Sequence, residues 1–176
     1  EMLLKSGATI NEMNTIRKHI SSFKGGLLAK SAYPATLISL LLSDVIGDPL
    51  DVIASGPTVP DSTTFEDAVY ILEKYDLWEK VPESIKRVLS DGVKGLIQET
   101  PKSEDPTFRK VYNIIIGNNR LACSAAIDEL KKLGLNALFL TSFMEGESRN
   151  VGLMLGALAK EIMISGNPIS PPVGVV

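Results

Sequence analysis

From Leu37 to Leu42 the chain reads Leu-Ile-Ser-Leu-Leu-Leu, an almost unbroken apolar run. A run without polar alternation fits a strand covered on both faces, as in a parallel sheet. Ser43 ends it, and Asp44-Val45-Ile46-Gly47-Asp48-Pro49 follows at once. Pro49 has no N–H to give a ladder, so the strand is expected to stop there. Residues 111 to 116 and 137 to 141 show the same lack of alternation and read as two further buried strands.

Elsewhere the apolar positions recur at helical intervals. Ile10, Met13, Ile16 and Ile20 mark a helix that Thr9 or Asn11 could cap, and a second, short helix follows Gly25-Gly26. Ala68, Val69, Ile71 and Leu72 mark a helix over residues 65 to 75, opened by the capping-box pattern Thr63-x-x-Glu66. Residues 76 to 100 read as one or two helices with Trp78 as a packing anchor, and the polar, proline-containing stretch 101 to 110 reads as a loop. Asn119 is placed to cap a helix over 120 to 133, striped by Ala122, Ala126, Leu130 and Leu133. Val151, Leu155, Leu158 and Ile162 mark a last helix ended by Gly166. The strand–helix–strand order over 111 to 141 predicts a right-handed parallel crossover, with both strands in one sheet. The predicted class is α/β: a layered α/β/α domain with a mostly parallel, Rossmann-like sheet over residues 1–166. Residues 167–176 then form an extended linker and the start of another strand.

Composition narrows the function classes. With 176 residues, 44% hydrophobic and 22% charged, the chain is long enough for one real core. A formal net charge of −3 gives no electrostatic footprint for nucleic acid or an anionic membrane. A single cysteine excludes an internal disulfide or a zinc–thiolate cluster, and Cys123, inside an alanine-rich helix, reads as a small buried hydrophobe. With no signal peptide and no apolar run of membrane-spanning length, a cytoplasmic location is expected.

The candidate chemistry gathers at the end of the first strand. In open α/β sheets ligands bind beyond the carboxyl ends of strands, which is where Asp44 and Asp48 fall, with Gly47 turning the backbone between them. Two carboxylates there suit a divalent cation, or a division in which one acid binds metal and the other accepts a hydroxyl proton. The plainer reading makes Asp44 a cap and Asp48 a solvated turn residue. Ser55, Gly56 and Thr58, stiffened by Pro57 and Pro60, form a loop able to approach a phosphate or carboxylate. Lys24 and the amides of Gly25 and Gly26 could do the same at a helix start. On the helix before them, Arg17 is the better planar-anion contact and Lys18 the more solvated one, because adjacent helical residues point about 100° apart. The same group also reads as an exposed basic face. His19, the only histidine, reads as a hydrogen-bonded structural residue. Gly117-Asn118-Asn119 forms a strand-to-helix turn that could meet a nucleotide or phosphate. Glu145, Glu147 and Arg149 sit at a helix start, where acids are favoured anyway.

Four blocks in order carry a resemblance: Asn14-Thr15-Ile16-Arg17-Lys18-His19-Ile20-Ser21, Lys24-Gly25-Gly26-Leu27-Leu28-Ala29, Ser43-Asp44-Val45-Ile46-Gly47-Asp48 and residues 53 to 65. Together they resemble the glycerate kinase family whose second domain is called MOFRL, with weaker agreement at 116 to 119 and 145 to 149. The resemblance implies ATP-dependent phosphorylation of D-glycerate, giving phosphoglycerate, with 2-phosphoglycerate the expected product. It also implies a divalent cation, expected to be Mg²⁺, and a two-domain α/β protein, with a homodimer as a candidate assembly. Members of that family are longer, so this chain reads as an internal piece of the first domain, truncated at its start and followed by a second domain. In this setting Asp44 is the candidate base or metal-linked acid and Asp48 the second metal or water ligand. Asn14, Arg17, Lys24, Gly25, Gly26, Ser55, Gly56 and Thr58 are candidate substrate or phosphate contacts. Hydroxypyruvate reduction with NAD(P)H is the competing activity, against which stands the lack of a G-x-G-x-x-G fingerprint. A non-catalytic α/β scaffold is the third reading.

Overall fold

The computed structural model describes residues 2–176. Glu1, which belongs to the expected 1–166 domain, lies outside the described residues. The elements run α1 (Met2–Lys5), α2 (Ile10–His19), α3 (Leu27–Ala32), β1 (Leu37–Leu42), α4 (Phe65–Lys74), α5 (Glu83–Val93), β2 (Val111–Gly117), α6 (Asn119–Lys132), β3 (Asn136–Leu138), α7 (Ser148–Ser165) and β4 (Val173–Val175). Short 3₁₀ turns stand at Ile53–Ser55, Trp78–Lys80 and Pro106–Lys110. The chain divides into two compact units, one holding the chain up to Leu41 together with Asp48–Ile116, the other Leu42–Gly47 and Gly117–Val176.

The first unit is built on α2, α4 and α5. Thr9 caps α2 through the Glu12 amide while the Glu12 carboxylate returns to the Thr9 amide at 2.8 Å, a complete capping box. At α4 the box uses Thr64 and Asp67, one residue later than the sequence pattern Thr63-x-x-Glu66 suggests. Thr63 is engaged elsewhere, its hydroxyl donating to Asp61 Oδ1 at 2.7 Å. The apolar faces of these helices meet in a core of Ile16, Phe65, Ala68, Ile71, Leu72, Leu77 and Leu89, with Trp78 packed against it as expected. Gly92 is part of that fit: a Cβ there would run into the ring of Phe65.

Hydrogen bonds join β1 to β2 and β3 to β4 in two two-stranded sheets, and β3 and β4 run parallel with Asn136 opposite Val173. This corrects three expectations. β3 pairs with β4 rather than with β2, and it is shorter than residues 137 to 141. β1 is not covered on both faces: exposure alternates along it, and Ile38 and Leu40 are both 62% exposed. Its second face is as apolar as the first, so the sequence lacks the alternation that the burial shows.

In the second unit, Asn118 rather than Asn119 caps α6, accepting the Leu121 amide at 2.9 Å. The expected α6 stripe is largely exposed, Ile127 being the one buried residue of that helix, and of the stripe Leu130 is half-buried where a Cβ added at Gly174 would run into its Cδ1. Gly166 ends α7 in the left-handed conformation, as predicted. Cys123 is half-buried, with Sγ 3.6 Å from Asn119 Oδ1, and so is not the buried hydrophobe expected. Among the described residues no helix is long and apolar enough to cross a membrane.

Candidate active site

Where β1 and β2 end, their backbones part. The last link is the Ser43 amide donating to the Gly117 carbonyl at 2.9 Å, and Gly117 lets the strands lie close because a Cβ would sit 2.7 Å from Leu42 Cδ2. Beyond this link the second unit holds a cleft of about 730 Å³. Its rim includes Ser43 and Asp44 from the end of β1, Asn118 and Asn119 from the start of α6, and Met144. Asp44 is exposed, so its carboxylate is reachable from solvent. Ser43 is buried and its hydroxyl donates to the Val45 carbonyl at 3.3 Å, which fixes the turn that carries Asp44. Asn119 Nδ2 donates to the Ser142 carbonyl at 3.0 Å, tying the start of α6 to the loop after β3.

The cleft puts a solvent-reachable carboxylate on the same rim as the Asn118 and Asn119 side chains, at the mouth of a β–α turn. Chemically it offers a proton acceptor and oxygen donors for a hard cation, with amide donors for an anion. Among the described residues no group of three or more His, Cys, Asp or Glu side chains could hold a metal ion. A cation here would therefore need oxygens from a ligand besides Asp44. Magnesium commonly takes one or two carboxylates plus phosphate oxygens, so the donor set fits that ion when it arrives with a nucleotide.

The remaining predicted residues lie in the first unit. Asp48 is half-buried in a left-handed turn, with φ +56°. Asn14 is buried on α2, where its Oδ1 accepts both the Ser55 hydroxyl at 2.9 Å and Arg17 Nη1 at 3.2 Å, while its Nδ2 donates to the Val52 carbonyl at 3.4 Å. Ala54 and Ser55 are held at φ +51° and +62°, a conformation L-residues rarely adopt. Lys24 Nζ donates to the Ala54 carbonyl at 2.9 Å. The Gly25 and Gly26 amides donate to the Ser55 and Gly56 carbonyls at 3.0 and 2.8 Å. Thr58 is buried, and its hydroxyl donates to Asn113 Oδ1 on β2 at 2.5 Å.

These contacts revise the sequence reading in physical terms. The amides of Gly25 and Gly26, expected to face an anion, spend their hydrogens on the loop backbone. The hydroxyls of Ser55 and Thr58 are likewise turned inward, and Gly56 is buried against Asp51, whose Cα would lie 3.0 Å from a Cβ at that position. In this structure the loop is a braced element rather than an open cradle. Arg17 and Lys24 remain partly exposed, each using one hydrogen on this brace and keeping the rest for solvent or ligand.

Lys18, expected to be solvated, is instead 4% exposed and paired with Asp61 at 3.2 Å. Burial pushes the Asp61 carboxyl up, but the Thr63 hydroxyl and amide together with the Lys18 ammonium outweigh it and hold the group below the usual aspartate value. His19 is structural in the sense expected, hydrogen-bonded through both ring nitrogens. The sequence reading missed Ser43 and Met144 at the cleft. Ser43 was legible as the residue that ends the apolar run, whereas nothing local marks Met144.

Comparison with known proteins places the chain. The family model described as "Domain of unknown function (DUF4147)" matches residues 1–90. The chain is 49% identical over 176 residues to the glycerate 2-kinase of Pyrococcus horikoshii and 42% identical over 174 residues to the D-glycerate 2-kinase of Thermotoga maritima. A 44% identity over 158 residues links it to human glycerate kinase. It spans 39% of the length of each of the two microbial relatives. The crystal structure of the Thermotoga maritima glycerate kinase superposes with a TM-score of 0.79 over 99% of this chain and 39% of that one. A Pyrococcus horikoshii crystal structure, 49% identical, gives 0.73 over the same shares. The α/β class read from the sequence is the class these structures share.

Proposed function

Because the chain belongs to the DUF4147 family, we propose that it is part of a glycerate kinase, which transfers the γ-phosphoryl group of ATP to a hydroxyl of D-glycerate. The observation that carries this reading is the unbroken similarity to glycerate kinases over 99% to 100% of the chain at 42% to 49% identity. The names of those two relatives favour the 2-hydroxyl, and hence 2-phosphoglycerate as product.

Phosphoryl transfer asks a protein mainly for positioning and charge neutralisation. Asp44, exposed at the cleft, is assigned to orient the attacking glycerate hydroxyl and accept its proton. Asp44 is also the cleft's carboxylate for Mg²⁺, which when bound neutralises phosphate charge, and Asp48, carried by the first unit, stays a candidate metal or water ligand. The guanidinium of Arg17 and the ammonium of Lys24 are the contacts for carboxylate or phosphate, and Asn14 orients Arg17. Ser55, Gly56 and Thr58, with Gly25 and Gly26, shape this surface through their internal bonds. Asn118 and Asn119 at the α6 start are added as anion contacts on the strength of the cleft they line. The full-length protein carries a MOFRL second domain and works in the cytoplasm, with a homodimer as its expected assembly.

The test is a coupled assay of the full-length protein with ATP, Mg²⁺ and D-glycerate. ADP release that depends on glycerate, with 2-phosphoglycerate identified by phosphorus NMR, is the expected result. NADH oxidation with hydroxypyruvate and no glycerate-dependent ADP would replace the kinase reading with a reductase.

A further inference from the structure

Both ring nitrogens of His19 face oxygen atoms: Nδ1 lies 2.7 Å from the Thr15 carbonyl and Nε2 lies 2.9 Å from Glu99 Oε1. A carbonyl oxygen only accepts, so Nδ1 carries a hydrogen. A neutral ring would then aim the Nε2 lone pair at a carboxylate oxygen, so the contact needs a second hydrogen. That hydrogen belongs to the ring, because Glu99 is already surrounded by donors. Its Oε1 accepts the Thr100 amide at 2.7 Å and its Oε2 accepts the Phe65 amide at 2.9 Å, while the single hydroxyl hydrogen of Thr100, whose oxygen is 3.2 Å from Oε1, is shared with Asp61 Oδ2 at 3.1 Å. Lys102 Nζ stands 3.8 Å from Oε1.

The other groups facing the ring agree with an imidazolium. Asp61 Oδ2 is 3.9 Å from Nε2, while Lys18 engages the other Asp61 oxygen at 3.2 Å. The Phe65 ring meets the imidazole edge-on at a centroid distance of 4.8 Å. The His19 side chain is 0% exposed and the Glu99 side chain is 31% exposed. If the pair breaks, the carboxylate has a way out to water and the ring has none.

We propose that His19 is a proton-operated latch on the start of α4. While both ring nitrogens carry hydrogen, the imidazolium holds Glu99 against the amide of Phe65, the first residue of α4. When Nε2 loses its hydrogen, its lone pair repels Glu99 and Asp61 together, Glu99 turns outward, and the Phe65 amide is released. The group freed is the Phe65 amide itself; Asp61, Thr63 and Thr64 keep their own bonds to the Pro101 carbonyl, Asp61 Oδ1 and Asp67 Oδ2. This inference uses no part of the kinase reading.

His19 is the only histidine, so its ring ¹⁵N signals have no competitor. The test follows those signals and hydrogen exchange of the Phe65 amide in this chain from about pH 5 to about pH 9, the range over which histidine charge changes. The expected result is one shared midpoint. Below it both ring nitrogens are protonated; above it Phe65 exchange accelerates at least about tenfold beyond its base-catalysed rise, the equivalent of about 1.4 kcal/mol. A ring that loses its Nε2 hydrogen while Phe65 protection stays unchanged overturns the latch, and so does a ring carrying a lone pair at Nε2 throughout. Glu99→Gln gives a second reading: with no carboxylate for the ring to hold, Phe65 exchange should show no step with pH, and a step as large as in the wild type overturns the proposal.

Discussion

The hydroxyl of Ser55 donates to Asn14 Oδ1 at 2.9 Å, joining two buried residues 41 positions apart. With the Gly25 amide on the Ser55 carbonyl and the Ser55 amide on the Val52 carbonyl, that bond holds a serine at φ +62° against the helix that carries Arg17. Strain of this kind persists only where the surroundings enforce it. Two substitutions separate strain from bonding. Ser55→Ala loses the bond and keeps the strained backbone, so it should cost about 2 kcal/mol. Ser55→Gly loses the same bond but accepts the positive φ, so it should cost about 1 kcal/mol less. Urea unfolding with an unchanged slope measures both; equal losses would mean that the backbone at Ser55 is unstrained.

Gly26 is the tightest point of the same brace. Its φ is +81°, and an added Cβ would meet the Val59 carbonyl oxygen at 2.8 Å and Pro101 Cγ at 2.9 Å. Backbone strain and overpacking each cost about 1 to 2 kcal/mol here, so Gly26→Ala should lose about 2 to 4 kcal/mol. Gly95, at φ +73° with nothing within 4 Å of an added Cβ, isolates the backbone part. Gly95→Ala should therefore lose about half as much in the same unfolding experiment.

Acid should weaken the first unit through Asp61. Its carboxyl is held below the ordinary value of 3.8 by Thr63 and Lys18, despite burial. A depressed native value means stability that is present above the unfolded value and lost as pH falls through the native one. Stability should thus fall on acidification below about pH 4. Glu12, held at about 2 by Lys74, Thr9 and Tyr75 against an ordinary 4.5, adds loss over the same window. Asp61→Asn leaves the Lys18 ammonium buried without its counter-charge and should cost about 3 kcal/mol or more at neutral pH. That deficit should shrink as pH drops, since the wild type loses the same charge. Thermal unfolding midpoints recorded against pH for both proteins check the convergence; parallel curves would show that Asp61 does not govern the acid limb.

Much of the fold is written in local pattern. The Thr9 cap of α2, the α4 capping box, the Gly166 stop and the Ala68–Leu72 stripe are short-range signals, and each appears within a residue or so of its expected place. The choice of Thr64 over Thr63 as cap shows the limit, because both begin a matching motif and only the Asp61 bond to Thr63 decides. The burial of Lys18 could not be read locally either: its partner lies 43 residues away, and the His19–Glu99 contact spans 80. β1 misled for a different reason. Apolar side chains on both of its faces give no alternation, although only alternate positions are covered among the described residues. At the candidate site, Asp44 was legible as the acid ending an apolar strand, whereas the inward turn of Ser55 and Thr58 depends on Asn14 and Asn113, which nothing near the loop announces.

The claim that matters most is that Asp44, at the open end of β1, carries the chemistry. Being exposed, it can be changed with little effect on folding, and Asp44→Asn should leave the thermal midpoint within about 1 °C of wild type. The direct measurement is kcat for glycerate phosphorylation by full-length wild type and Asp44→Asn under saturating ATP and Mg²⁺. Loss of a proton acceptor predicts a fall of about 10²-fold or more with the fold intact. A variant that turns over within about twofold of wild type would contradict the assignment.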